Sequence, residues 1–138
     1  MRNSKIIVRY AETDQMGIAH HSIYPVWYEV ARTDFAKNMG MAYSQMEKMG
    51  ILTPLVELSS KYIRPAKYED ELEIKVIVGK LTPARIEFIY EVYKKGEESP
   101  INIGKTVHAW VGKDLRPINM RQCNPKLYER IEKYQKSF

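Results

Sequence analysis

Apolar residues recur three and four positions apart at Tyr24, Trp27, Tyr28, Ala31, Phe35 and Met39, while Glu29, Arg32, Thr33 and Lys37 take the other side. That period predicts an amphipathic helix from about Ser22 to Met39. Ser22 supplies a hydroxyl suited to capping its N-terminus, and Gly40 stands just past its end as a natural terminator. Pro25 is compatible with the helix, because the first turn has no intrahelical use for its N–H. About 18 residues at ~1.5 Å each give a helix of roughly 27 Å, and its heavy aromatic stripe marks it as the core helix. A short helix over Tyr43 to Lys48 is expected next, closed by Gly50.

Elsewhere the period is two. Leu72, Ile74, Val76 and Val78 alternate with Glu71, Glu73 and Lys75, and Ile86, Phe88, Tyr90 and Val92 alternate with Glu87 and Glu91. Each reads as a half-buried strand, joined by Leu81 to Ala84. Further strands are expected at Lys5 to Tyr10, Ile51 to Ile63 and Ile101 to Gly112. Pro54 and Pro65 confine the Ile51 to Ile63 strand to an edge or to bulged geometry. Pro125 to Lys136 reads as a terminal helix with Asn124 as N-cap and Pro125 at its first position.

The order is strand, long helix, four strands, closing helix. Short connections among the late strands make them antiparallel, so the expected class is α+β: one aromatic helix against one sheet in two layers. Such a sheet leaves its edges open, and pairing of two copies would close them.

Composition narrows the partners. At 138 residues the chain is expected to form a single domain over 1–138. No stretch resembles a membrane span, and the N-terminal MRNSKIIVRYAE lacks the core of a signal peptide, so a cytoplasmic location is the expectation. The 22 basic against 17 acidic residues give a net charge of +5, a mild bias toward anionic partners with no basic block of a nucleic-acid tail.

Several chemistries are excluded by motif. There is no G-x-S-x-G elbow and no G-x-G-x-x-G fingerprint. Gly104-Lys105-Thr106 spells the end of a phosphate loop, but Ser99 stands where the upstream glycine belongs and the triplet lies in a predicted strand. Asp14, His20 and His21 make a strained metal set, because adjacent histidines diverge in either a strand or a helix, and His108 is the only other imidazole. No metal or cofactor is expected. Cys123, the only cysteine, has no local partner that would make it a reactive thiol.

The stretch AETDQMGIAHHSIY, residues 11–24, holds the remaining chemistry. Thr13-Asp14 reads in two ways: as an Asx-type turn, or as a carboxylate facing the open N-terminus of the long helix. Gly17 permits close backbone approach, and the amides near His21 offer a site for developing negative charge. A carbonyl bound between the two would meet an acyl-transfer geometry that needs neither metal nor serine.

At these residues the chain resembles the 4-hydroxybenzoyl-CoA thioesterase family, in the branch of the YbgC-type acyl-CoA thioesterases. The similarity runs from Val8-Arg9-Tyr10-Ala11-Glu12-Thr13-Asp14 through Gly17 and His21 to Trp27-Tyr28-Glu29-Val30-Ala31-Arg32-Thr33. It continues at Tyr62-Ile63-Arg64-Pro65-Ala66 with Asp70 and at Gly104-Lys105-Thr106. His20 departs from the aromatic usual at its position. The resemblance implies the hot-dog fold, a long helix wrapped by a curved antiparallel sheet, in homodimers or homotetramers. It implies hydrolysis of an acyl-CoA thioester, with Asp14 as nucleophile or general base and the His21 backbone N–H as oxyanion donor. Gly17, Tyr24, Ser59, Ser60 and Arg64 are the expected substrate-binding residues, the two serines reaching it from the partner subunit. Trp27 is assigned to the core, and Arg64, Lys67, Arg85 and Arg116 are candidates for the CoA phosphates. A non-catalytic acyl-CoA-binding module on the same fold is the alternative. A nucleic-acid or membrane-surface role rests on charge alone.

Overall fold

A computed structural model describes residues 3–136, so the two outermost residues of the expected 1–138 domain at each end lie outside the described residues. Five strands form one antiparallel sheet: β1 (Ser4–Ile7), β2 (Leu55–Tyr62), β3 (Glu71–Leu81), β4 (Arg85–Lys94) and β5 (Asn102–Ala109), in the spatial order β1-β3-β4-β5-β2. Four α-helices accompany them: α1 (Tyr24–Asn38), α2 (Tyr43–Lys48), α3 (Met120–Cys123) and α4 (Pro125–Lys136).

The alternating strands behave as their pattern requires. Leu72, Ile74, Val76 and Val78 of β3 and Ile86, Phe88, Tyr90 and Val92 of β4 are all buried. The expected helix stripe is buried as well, from Tyr24 to Met39. The chain leaves α1 through Gly40 at φ +75°, with Met41 N–H bonding Ala36 O at 2.9 Å and Gly40 N–H bonding Lys37 O at 3.0 Å. This double bond is the Schellman closure that a glycine just beyond a helix permits. Asn124 caps α4, its side chain accepting from Leu127 N–H at 3.2 Å.

Four expectations are corrected. The first strand stops at Ile7, because Val8 N–H turns to Asp70 O and Tyr10–Glu12 form a 3-10 turn. The Ile51 to Ile63 strand is regular only from Leu55, after Pro54, and has a bulge between Leu55 and Glu57. It is an edge strand, as its prolines require. Ser22 is not the cap of the long helix: a 3-10 turn over His21–Ile23 precedes α1, and His20 caps that turn, Nδ1 accepting from Ser22 N–H at 3.1 Å. Arg32 does not face solvent but reaches under the helix, donating to the Tyr90 hydroxyl at 3.0 Å.

The helix-facing positions of β5 are Asn102, Gly104, Thr106 and His108, an unusually polar row beneath an aromatic helix. Burial of polar groups requires partners, and here they form chains. Tyr28 donates to Asn102, and Ser60 bonds Tyr28 at 2.7 Å and Asn102 at 3.0 Å. Arg32 donates to Tyr90 Oη, Tyr90 bonds Thr106 at 2.6 Å, and Thr106 bonds His108 Nε2 at 3.0 Å. His108 Nδ1 donates to Thr53 O at 3.0 Å, since a carbonyl can only accept. Gly104 lies under Tyr28, and a Cβ there would overlap the ring. The Gly104-Lys105-Thr106 triplet is thus mid-strand and packs the helix down.

Candidate active site

Residues 8–20 form a loop fixed at both ends by backbone bonds to the segment after β2. Val8 N–H bonds Asp70 O at 3.0 Å, and Ala19 N–H bonds Ala66 O at 2.8 Å. Within it, Asp14 N–H bonds Ile18 O and Gly17 N–H bonds Asp14 O, both at 2.9 Å, closing a tight turn with Gly17 at φ +78°. Positive φ is what a glycine at the end of such a turn supplies. The Asp14 side chain joins in, Oδ1 accepting from Met16 N–H at 2.8 Å. The Asx turn is therefore present.

The turn leaves Asp14 at the wall of a cavity. A cavity of about 300 Å³ is lined by Asp14, Met16, Ile18, His21, Tyr24 and Tyr62, with Ala19, Ile63, Arg64 and Pro65 completing it. Asp14 and His21, the first residue of the His21–Ile23 turn, line one space. As first residue of that turn, His21 presents an N–H with no acceptor inside the turn, and the carbonyl three residues back, on Ile18, already serves Asp14 N–H.

The side chain of Glu12 locks this geometry. Glu12 is 4% exposed and accepts from Trp27 Nε1–H at 3.0 Å, from Arg9 N–H at 2.8 Å and from the Arg9 guanidinium at 3.2 Å. Burial pushes its carboxyl up, but these donors outweigh it and hold the group below the usual carboxylate range. His20 N–H bonds Glu12 O at 2.8 Å, so the buried acid ties both helix and cap to the loop. Tyr24 is buried at the cavity wall, edge-on to Trp27 and Tyr62; burial raises its phenol.

Of the expected site residues, Asp14, His21, Tyr24 and Arg64 come together around the cavity, whereas Gly17, Ser59 and Ser60 do not line it. Gly17 shapes the turn. Ser60 is held by Tyr28 and Asn102, and Ser59, one residue earlier, points to the opposite face of β2. Arg64 bonds Glu97 at 3.1 Å and Ser99 O at 2.9 Å, while Arg85 and Arg116 are exposed and Arg116 pairs with Asp114 at 3.7 Å. No site role was expected for Tyr62, although it opens the Tyr62-Ile63-Arg64-Pro65-Ala66 stretch that carries part of the family resemblance. Trp27 is core, as expected. No group of metal-ligating residues occurs among the described residues, and Cys123 is exposed.

A long helix against an antiparallel sheet of this order, with an acid-bearing loop at the helix head, defines the hot-dog class of the thioesterases. Residues 16–101 match the Thioesterase superfamily, and the chain belongs to that family. It is 36% identical to YneP of Bacillus subtilis (strain 168), a candidate acyl-CoA thioesterase, over 96% of each chain. Among solved structures, a DHNA-CoA thioesterase from Staphylococcus aureus superposes with TM-score 0.91 at 32% identity, covering 98% of this chain and 91% of that one. A protein of Thermus thermophilus superposes with TM-score 0.88 at 31% identity, covering 97% and 99%.

Proposed function

We propose that the protein hydrolyses acyl-CoA thioesters to the free acid and CoA. The observation that carries this reading is the shared cavity of Asp14 and the His21 turn. A thioester carbonyl directed at the His21 N–H would develop its negative charge at the positive end of the turn and helix. Losing one donor of this kind costs about 3 kcal/mol of transition-state stabilisation. Asp14 then attacks the carbonyl carbon, expelling CoA thiolate and giving a mixed anhydride that water hydrolyses to the free acid and the restored carboxylate, or it takes a proton from water that attacks the carbonyl and expels the thiolate directly. The Asx bond to Met16 N–H orients the carboxylate for either role. Tyr24, Ile18 and Ile63 give the acyl group an apolar wall, and Arg64 stands at its side as a cation for a CoA phosphate.

Assembly belongs to the same proposal. Edge strand β2 carries exposed Leu55, Val56, Leu58 and Tyr62, and α1 exposes Val26 and Val30. An unpaired apolar edge favours pairing with a second copy, so the protein is proposed to work as a homodimer or larger homo-oligomer.

The test is a panel of acyl-CoA esters with free thiol as readout, run on the wild type and on Asp14→Asn. Loss of a general base or nucleophile is expected to lower kcat by about 100-fold or more. An unchanged kcat in Asp14→Asn would remove this mechanism. Thermal stabilisation by CoA esters with no thiol release by the wild type would indicate a binding module instead.

A further inference from the structure

Tyr62 ends β2, paired with Asn102 of β5, and its side chain reaches a turn 41 residues earlier in the chain. Its hydroxyl donates to the backbone carbonyl of His21 at 3.0 Å, and its ring meets Tyr24 edge-on at 5.2 Å between centroids. The same ring lines the cavity shared by Asp14 and His21.

The carbonyl it bonds is a special one. In a continuous α-helix, His21 O would accept from the N–H of the residue four positions on. That residue is Pro25, which has no N–H. The proline thus leaves that carbonyl with the i→i+3 bonding of the 3-10 turn in place of an α-helical bond, and the phenol from β2 adds a side-chain donor to it. The turn is then held from two directions. On the loop side, His20 N–H is bound to Glu12 O at 2.8 Å; on the sheet side, His21 O is bound to Tyr62. The His21 N–H belongs to the peptide between these two anchored ones, whose own carbonyl, His20 O, accepts from Ile23 N–H at 3.0 Å, and the Tyr62 bond acts on it through the backbone torsions of His21.

We infer that Tyr62 is a positioning residue for the thioesterase reaction: by bonding the His21 carbonyl it fixes the orientation of the His21 N–H that receives the thioester oxygen. The inference rests on the proposed function, because it assigns that amide its role. A donor aimed in advance at the developing charge contributes to turnover, whereas one that must reorient contributes less. The hydroxyl therefore acts on kcat, and the ring, which forms part of the cavity wall, acts on substrate binding.

The experiment compares wild type, Tyr62→Phe and Tyr62→Ala on aryl, short, medium and long acyl-CoA esters, with thiol release giving kcat and KM and with thermal unfolding alongside. Tyr62→Phe is expected to lower kcat about fivefold to tenfold, the worth of one hydrogen bond, with KM unchanged within about twofold. Tyr62→Ala is expected to show the same loss of kcat and a raised KM. The Ser22 amide resonance, which shares a peptide with the His21 carbonyl, is expected to move in Tyr62→Phe. An active wild type whose Tyr62→Phe variant keeps its kcat within about twofold, or changes only KM, would overturn the role of Tyr62 and leave the thioesterase reading standing. A wild type inactive on every ester would overturn both.

Discussion

The indole N–H of Trp27 donates to the carboxylate of Glu12 at 3.0 Å, joining the middle of α1's first turns to the loop that carries Asp14. Since this carboxyl is held below its usual range by its donors against the opposing effect of burial, it stabilises the fold above the ordinary carboxylate pKa. That stability is lost as pH falls through the lower folded value. Glu12→Ala leaves the Trp27 N–H without a partner and is expected to cost about 1–3 kcal/mol. Glu12→Gln keeps the shape and should lose less, but with a shallower acid limb. Urea titrations at several pH values measure both.

Gly104→Ala is expected to be among the costly single-atom additions in this chain. The new methyl would enter the Tyr28 ring, which is stacked on Tyr90 at 4.5 Å and bonded to Ser60 and Asn102, so it has no free direction in which to move. Overpacking of this kind costs about 1–3 kcal/mol. A lower melting temperature is the expected readout; an unchanged one would show that the helix can lift off the sheet at this point.

The contrast between β4 and β5 shows how far the sequence could be read. Ile86, Phe88, Tyr90 and Val92 announce their buried face because every second residue is apolar. Asn102, Gly104, Thr106 and His108 occupy the same layer but are polar or lack a side chain, and only the partners supplied by α1 and β2 make their burial tolerable. Arg32 is the mirror case: helical periodicity placed it outside, whereas Tyr90 draws it in. At the site, Asp14, Gly17 and His21 were visible because they sit within one short loop. Tyr62 was not, because nothing local to residue 62 reveals that its hydroxyl meets the His21 carbonyl, 41 residues earlier in the chain.

Gly17 stands at φ +78° with nothing within 4 Å of where a Cβ would be, so its requirement is conformational and not steric. Gly17→Ala is expected to cost about 1–2 kcal/mol, the usual penalty for the left-handed region. Gly17→Asn should cost less, since Asn tolerates that region better. Equal stability of the three proteins in denaturant would show that the turn reshapes itself.

Burial, helped by the charge of Arg32, pushes His108 down to about 4. The folded state therefore keeps the imidazole neutral while the unfolded chain, with an ordinary value near 6.5, takes up a proton. The contribution is complete above about pH 6.5 and is lost as pH falls from there toward 4, worth about 3 kcal/mol at most. His108→Gln is expected to flatten stability across that window even if it lowers stability at pH 7. Denaturant unfolding at pH 7.0 and 4.5 tests the difference.

The bonds that tie the Asp14 loop to the segment after β2 are drawn from its main chain: Val8 to Asp70, Ala19 to Ala66, and the bridge between Ile18 and Lys67. A frame fastened in this way does not depend on the side chains that line the cavity. Met16, Ile18 and Ile63 can be exchanged for larger or smaller groups, remoulding the room offered to an acyl chain, while the acid and the amide stay at their stations. On the proposed function, selectivity and reactivity are thereby written into separate atoms of the same few residues.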